Sequence, residues 1–381
     1  MKRKIAISII VPLYKGKKYI TRLFSMIQVA RDLFIQEKNQ LIELILVNDC
    51  PEEKICLDEL KNRECDYYYL INNETNLGIH SSRIIGLRKA RGEFIHFLDQ
   101  DDLISQDYYL NQYLKIGNND VIICNGKFRD SRVIIPDSFQ ADKIASKEAY
   151  FSSLEDIVSP GQALIRKKSI PNEWTENILH NNYCDDAFLW ILMKNKDKKF
   201  AVNNDMLYVH VETGKNASQS WNITQNALFE LMKVVQTNEL IDRKLEQILV
   251  SCIEKKIDKH KLYENLENDL KRVERTPSLL KEYLSSHEYK KISLYGYGII
   301  GKRFHYICKS LGVEISYSYD QNTLSTKDMI IYKMEENAPE VDIIIITPIQ
   351  EKNAILQELR KRRKETIVGI DTLLKNVIKK V

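Results

Sequence analysis

Phe94-Ile95-His96-Phe97-Leu98-Asp99-Gln100-Asp101-Asp102 is an apolar run that reads as a buried strand and then ends in three carboxylates within four residues. Clustered carboxylates repel one another, and at neutral pH they persist only where water solvates them or a cation sits between them. Oxygen ligands at a strand end suit Mg²⁺ or Mn²⁺, which typically take one or two carboxylates and complete their shell with substrate phosphates. An acidic turn that merely stops a strand is the alternative on these residues alone, so the surrounding pattern must decide.

Outward from this stretch, strand-like runs cover 5–11, 41–47, 67–71, 93–98 and 120–124. Between the first two, Leu23, Met26, Ile27, Ala30 and Phe34 recur at helical spacing within 21–35; a second helix over 80–90 carries Ile84, Ile85 and Leu87. Strands alternating with helices predict an α/β fold with a mostly parallel sheet and helices on both faces. Ligands in such sheets bind beyond the carboxyl ends of the strands. Asp49 and Asp99 both follow strand ends and are expected to share one crevice. Residues 126–222 show polar loops and no clean period. From 223 to 289 the pattern is helical, with Leu245, Ile248, Leu249, Cys252, Ile253 and Ile257 on one stripe. Residues 290–381 alternate strand and helix again. Three parts are therefore expected: an α/β domain over 1–222, a helical connector over 223–289 and a small α/β domain over 290–381.

A chain of 381 residues is long enough for two or three such domains. Its net charge of +4 makes no case for nucleic acid as a partner. The seven cysteines are scattered without zinc-site or CxxC spacing, which reads as reduced thiols in a cytoplasmic protein. The apolar run after Met1-Lys2-Arg3-Lys4 is cut short by Pro12 and followed by Lys15, Lys17 and Lys18, so it is a first strand rather than a signal peptide. No run approaches the length of a membrane-spanning helix.

Four segments fall into one order: Val11-Pro12-Leu13-Tyr14; Leu46-Val47-Asn48-Asp49; Asn76-Leu77-Gly78 with Ser82-Arg83 and Gly86; and Ala90-Arg91-Gly92-Glu93 leading into the acidic stretch. Together they resemble the family 2 glycosyltransferases, which have a GT-A fold, over roughly residues 5–222. The resemblance implies a nucleotide-sugar donor whose diphosphate is neutralised by Mn²⁺ or Mg²⁺ held at Asp99 and Asp101, with Asp102 beside them and Gln100 on the donor side. It implies that Asp49 contacts the base, that Pro12 and Tyr14 flank the nucleotide, and that Arg83 sits near a phosphate; a helix-surface arginine is the alternative for Arg83. Cys184-Asp185-Asp186-Ala187-Phe188-Leu189-Trp190 resembles the family's acidic pair before an aromatic helix. By that match Asp186 is the base that takes the acceptor's proton, while a helix cap is the other role open to an aspartate there. Tyr208-Val209-His210, followed by Ser218 and Ser220, resembles the late histidine near the metal, and Ser159-Pro160-Gly161-Gln162 falls at an acceptor loop. Trp174, Trp190 and Trp221 are sugar platforms or core anchors. The chain departs from the family pattern at Lys15-Gly16, where asparagine usually follows the tyrosine, and at Ile84.

A second motif lies near the C-terminus. Leu294-Tyr295-Gly296-Tyr297-Gly298-Ile299-Ile300-Gly301 follows a strand and opens a helix, with Asp320 about twenty residues on at the next strand end. This resembles a small Rossmann-like domain, with Gly296, Gly298, Gly301 and Asp320 as a second-site set for a nucleotide or dinucleotide. No Tyr-x-x-x-Lys pair follows residue 290, so a binding, regulatory or docking module is expected rather than a dehydrogenase. The basic run Arg360-Lys361-Arg362-Arg363-Lys364 is a solvated helix end or, alternatively, a peripheral contact with an anionic membrane surface.

The expected function is an inverting, metal-dependent glycosyltransferase. Its acceptor would be a glycan or lipid-linked glycan of a bacterial surface polysaccharide. The rivals are an NAD(P)-linked oxidoreductase or epimerase centred on the C-terminal domain, and a nucleotide-sugar sensor without turnover.

Overall fold

The computed structural model describes residues 3–55, 68–154, 156–212, 221–321 and 325–379. Ser218, Ser220 and Tyr67 lie outside the described residues. The chain divides into two compact units, Met1–Lys255 and Lys256–Val381.

The first unit is built on strands β1 (Ile5–Leu13), β2 (Leu41–Asn48), β3 (Tyr68–Asn72), β4 (Phe94–Phe97), β5 (Leu103–Ile104), β6 (Val121–Phe128), β7 (Ala163–Arg166) and β8 (Phe200–His210). They lie in one sheet in the order β3-β2-β1-β4-β7-β6-β8-β5. The β3-β2-β1-β4 half is parallel throughout, as the alternating pattern predicts. Every residue of β2, and nearly every residue of β1, is buried, which requires cover on both faces. That cover comes from helices including α1 (Ile20–Lys38) and α2 (Ile79–Lys89).

One polar pair interrupts the β1–β2 core. The buried Glu43 carboxylate accepts bonds from Ser8 Oγ at 2.6 Å and from Arg91 N, Nε and Nη2 at 2.6–2.9 Å. Gly92 N in turn donates to Ser8 Oγ at 2.8 Å. A buried carboxylate survives only when its lone pairs are satisfied, and satisfying this one fixes the turn that launches β4.

Gly86 lets α2 lie close on the sheet, since a Cβ there would stand 2.4 Å from Ile10 Cγ2. Gly86→Ala is therefore expected to destabilise the protein by about 1–3 kcal/mol through overpacking, despite alanine's better helix propensity. The check is a lower urea midpoint at unchanged m-value.

The half of the sheet that showed no sequence period is where the sheet becomes mixed. Strand β7 enters antiparallel between β4 and β6, and β8 runs parallel to β6 with register shifts at Cys124–Gly126. Strand β8 carries Asn203-Asn204-Asp205 in its middle, which hides it from a hydrophobicity pattern. Asn203 is nonetheless buried, because Lys115, Asn111 and Gln112 hydrogen-bond its amide. Lys115, Asn111 and Gln112 come from α3 (Tyr108–Lys115). Helices α4 (Ser138–Ala145), α5 (Lys147–Ser153), α6 (Asn172–Glu176), α7 (Asp185–Asn195) and α8 (Trp221–Thr237) complete this unit's own elements.

Helix α9 (Arg243–Arg275) runs through the division between the units, and the connector expected over 223–289 is not a separate body. Leu245, Leu249, Cys252 and Ile253 are buried on the first unit's side of the division. Leu266, Leu270 and Val273 instead join the second unit's core, together with Leu280 and Leu284 of α10 (Ser278–Ser286). One amphipathic stripe thus serves two cores, a division that periodicity cannot reveal.

The second unit contains β9 (Ile292–Tyr295), α11 (Ile299–Ser310), β10 (Ile315–Tyr319), β11 (Ile331–Tyr332), β12 (Ile343–Ile346), α12 (Lys352–Arg362), β13 (Thr366–Gly369) and α13 (Ile370–Ile378). Its sheet is wholly parallel in the order β11-β10-β9-β12-β13, with the strand order reversing between β9 and β12. This is the order of a Rossmann half with its switch point at the glycine motif. Gly296 has φ +93°, and a Cβ at Gly301 would stand 2.2 Å from Gly296 O, so both glycines serve the tight turn and helix contact. A Cβ at Gly298 would meet nothing within 4 Å. Asp320 Oδ2 accepts the Tyr297 N–H at 2.7 Å, so the expected ribose carboxylate already closes the glycine turn.

The basic run at the end of α12 is mostly neutralised locally. Lys361 and Arg362 pair with Glu358, and Arg363 pairs with Glu365 and donates to the Ala338 and Pro339 carbonyls. Among the described residues, no helix is long and apolar enough to cross a membrane.

Candidate active site

Strands β2, β1 and β4 are neighbours, and their carboxyl ends deliver Asp49, Pro12 to Tyr14, and Asp99 to Asp102 to one edge of the sheet. Pro12 is buried in β1. Its missing N–H lies on the side where β4 has already ended, since β4 pairs only with Ile7–Ile10 and Leu98 N donates to Ile10 O. Its ring therefore costs the ladder nothing. Tyr14 is 48% exposed. The Gln100 amide exchanges two 3.1 Å bonds with the Tyr14 backbone, so it bridges the β1 end to the acidic loop rather than standing free. Arg22 caps the Gln100 and Asp101 carbonyls in the same loop.

Asp49 is buried and fully engaged. Its Oδ1 accepts Asn73 Nδ2 and Leu77 N, and its Oδ2 accepts Gly78 N, all at 2.8 Å. It organises the Asn76-Leu77-Gly78 turn that opens α2.

The acidic stretch separates into three carboxylates with three environments. Asp99 Oδ1 accepts Arg83 Nη2 at 2.6 Å, and burial raises this carboxyl while Arg83 holds it back. Asp102 is 1% exposed; it accepts Val211 N at 2.9 Å and the Tyr208 hydroxyl, and lies 3.3 Å from His210 Nδ1. Asp102 thus belongs to the loop and to the end of β8. Asp101 differs from both, because no ion pair reaches it among the described residues. Burial, then the charges of Asp102 and Asp99, push its carboxyl up to about 6. A carboxylate made costly by burial and by its neighbours' charges is what a cation would relieve.

His210 sits with Nδ1 on Asp102 and 3.2 Å from the Tyr208 hydroxyl. Burial pulls its imidazole down, but the hydrogen bond and charge of Asp102, with the charges of Asp99 and Asp101, leave it above its ordinary value. A carboxylate on one ring nitrogen leaves the other directed away, the arrangement of many metal-binding histidines. Tyr208 and His210 project from the same face of β8, two residues apart. That spacing was visible in the sequence, although the role of Tyr208 was not inferred from it.

Arg83 is buried, and both of its terminal nitrogens are taken by carboxylates. Its side chain is 3% exposed, with Nη1 on Asp185 Oδ2 at 2.5 Å and Nη2 on Asp99 at 2.6 Å. Asp185 is consequently a counter-ion and not the cap of α7; the N-cap position is Cys184, which makes no side-chain cap bond. Asp186, next along, accepts Ala187 N through Oδ1 at 2.7 Å, its one hydrogen bond among the described residues. Burial, then the charge of Asp185, push the Asp186 carboxyl up to about 7, against the pull of Arg83. A base titrating near neutrality is well matched to proton transfer at that pH.

Ser159-Pro160-Gly161-Gln162 forms the floor beneath the cluster. All four residues are buried, Ser159 Oγ lies 3.4 Å from both Asp99 and Asp102, and Gly161 O accepts from Tyr108 at 2.9 Å and faces His96 Nε2 at 3.0 Å. Burial drives His96 down to about 4, so it is a neutral clamp. Trp174 and Trp190 are core residues at 1% and 0% exposure, not sugar platforms.

Among the described residues, no three His, Cys, Asp or Glu side chains close around one point. The oxygen and imidazole donors present fit a hard divalent ion that draws the rest of its shell from substrate phosphates, and do not fit an all-protein cage.

The sequence profile described as Glycosyl transferase family 2 matches residues 8–174. The glycosyltransferase GlyA of Streptococcus pneumoniae is 30% identical over 125 residues, 32% of this chain and 16% of GlyA. An uncharacterized glycosyltransferase of Haemophilus influenzae is 32% identical over 126 residues, 32% of this chain and 46% of its own length. The poly(ribitol-phosphate) beta-N-acetylglucosaminyltransferase TarS of Staphylococcus aureus is 33% identical over 101 residues, 26% of this chain and 17% of TarS. A crystal structure of TarS residues 1–349 aligns at 20% identity with a TM-score of 0.48, covering 65% of this chain and 71% of that one. The chain thus spans less than half the length of these curated relatives. All of the acidic stretch, α2 and the Ser159–Gln162 floor fall within the segment that matches the glycosyl transferase family 2 profile.

Proposed function

We propose that the first unit is an inverting, metal-dependent transferase that moves a sugar from a nucleotide diphosphate to an acceptor hydroxyl. The observation that carries this reading is the pairing of two differently prepared carboxyls at one edge of the sheet. Asp101 has no ion-pair partner among the described residues and is pushed up to about 6, while Asp186 is pushed up to about 7, and the Asp99–Arg83–Asp185 bridge links their two loops.

Asp99, Asp101 and His210 Nε2 are the groups that would hold Mn²⁺ or Mg²⁺. Bound there, the ion would neutralise the charge that grows on the departing diphosphate. Asp102 orients His210 through Nδ1, and Gln100 keeps the loop against Tyr14. Asp186 accepts the acceptor's hydroxyl proton as that oxygen forms its bond to the anomeric carbon and the bond to the diphosphate oxygen breaks on the opposite face. Attack from that face inverts the anomeric centre. Tyr14 flanks the nucleotide in this reading, which its exposure beside the β1 end supports.

The acceptor class we infer is a hydroxyl of a bacterial surface polymer, free or lipid-linked. Support comes from TarS, whose name gives poly(ribitol-phosphate) as its acceptor.

Thermal unfolding of the full chain with UDP-, GDP- and dTDP-sugars, each with and without Mn²⁺, tests the reading. One donor class is expected to raise the melting temperature, and only when Mn²⁺ is present; saturation at a hundredfold over Kd adds about 2.7 kcal/mol. No shift with any donor in the presence of Mn²⁺ would overturn it.

A further inference from the structure

We propose that Arg83 is a positioning residue that competes with the divalent ion for Asp99, and so couples the acidic loop after β4 to the base-bearing helix α7. The inference rests on the metal reading given above. Five aspartates, Asp99, Asp101, Asp102, Asp185 and Asp186, meet at this edge of the sheet, and Arg83 is the buried guanidinium among them. Its fork is divided, with one nitrogen on Asp99 at 2.6 Å and the other on Asp185 at 2.5 Å.

The scaffold holds that fork in place. Helix α2 is pinned through Gly86 on Ile10, through Gly78 N on Asp49 at 2.8 Å and through Ile79 N on Asn182 Oδ1 at 3.0 Å. Arg83 Nε is buried with no hydrogen-bond partner among the described residues, so part of the guanidinium's donor capacity is unused there. Asp99 remains 26% exposed while Arg83 is 3% exposed, so an arriving ion reaches the carboxylate and not the arginine.

The consequence is an exchange of partners. An ion that takes Asp99 must displace Nη2 or share the carboxylate with it, and either change weakens a contact that Arg83 balances against Asp185. The released nitrogen is a donor suited to a phosphate oxygen. Donor diphosphate would then compensate Arg83 for the loss of Asp99, and ion and donor should bind cooperatively. The same guanidinium holds the first turn of α7, so the exchange is felt at the residue beside Asp186.

The test is Mn²⁺ titration of the full chain by electron paramagnetic resonance, with and without the nucleoside diphosphate that stabilises the protein best. Removing one partner of a buried ion pair strands the other, so the principal variant is the double change Arg83→Gln with Asp185→Asn, its fold checked by circular dichroism. We expect Mn²⁺ to bind this variant roughly tenfold more tightly without nucleotide, the scale on which a neighbouring charge moves a carboxylate's proton affinity. Nucleotide should no longer improve Mn²⁺ affinity, and kcat should fall. A merely structural arginine would weaken ion binding and turnover together.

Unchanged or weaker Mn²⁺ binding by the folded double variant would overturn the proposal. If that variant does not fold, Arg83→Lys decides. A point charge reaches one carboxylate and not both, so the nucleotide's effect on Mn²⁺ affinity should vanish, and its persistence would overturn the proposal. Wild-type protein that binds no Mn²⁺ at all would remove the metal reading itself, an outcome distinct from a wild type that binds and a variant that binds equally well.

Discussion

Asp101→Ala is expected to lower sugar transfer by roughly 10³-fold or more, because an ion at a departing diphosphate supplies several kcal/mol of charge stabilisation and each 1.4 kcal/mol is tenfold in rate. The same substitution should make the metal-free protein more stable at neutral pH. Its carboxyl is raised to about 6 in the folded chain, against an ordinary value near 3.9. The folded state therefore binds this proton more tightly, and Asp101 costs stability progressively as pH rises from about 4 to 6, with the full cost present above 6. Removing it relieves about 1–2 kcal/mol after allowance for solvent screening. Activity assays and urea melts at pH 5 and pH 7.5 check both halves. Loss of transfer together with a gain in stability that is larger at pH 7.5 is the expected result; a loss of stability at pH 7.5 would show that Asp101 is paired and not poised.

Asp186→Asn is expected to keep donor and Mn²⁺ binding within about twofold while lowering kcat by roughly 10²–10⁴, the usual contribution of a positioned base. In the wild type the carboxyl must be ionised to accept the acceptor's proton. With its value near 7, kcat/KM should fall as pH drops below 7 and level off above it. The variant should lose that acid limb. A fully active Asp186→Asn would remove Asp186 from the chemistry, and an acid limb retained at reduced rate would assign the ionisation to another group.

The parallel half of the first sheet was legible because its strands are continuous apolar runs and its helices carry a clean period. Phe94 to Phe97 reads as a strand for the same reason that it is one. The mixed half was not legible, since Asn203-Asn204-Asp205 interrupts β8 and β7 is only four residues long. Those polar residues are affordable there because α3 hydrogen-bonds Asn203, a contact between segments nearly ninety residues apart. The division of α9 between two cores leaves no mark in the sequence for a related reason. A stripe records that a face is buried and is silent on which neighbour covers it.

The candidate site shows the same boundary. A carboxylate cluster at a strand end singles out Asp99, Asp101 and Asp102 from the residues themselves, whereas Asp186 and His210 stand out only by their resemblance to the family's motifs. Partners leave no such signal. Arg83 reads equally well as a surface or a phosphate-binding arginine until the fold sets it between Asp99 and Asp185, sixteen and 102 residues away. Likewise Asp102, adjacent to Asp101 in sequence, is diverted by Tyr208 and Val211 to the end of β8, more than a hundred residues on. Local sequence placed Asp49 and Asp99 to Asp102 at the carboxyl edge of the sheet, since that follows from periodicity and strand ends. Which of those groups are neutralised, clamped or left short of a counter-charge depends on long-range pairing, and desolvation and Coulomb interactions act on distances in space and not along the chain.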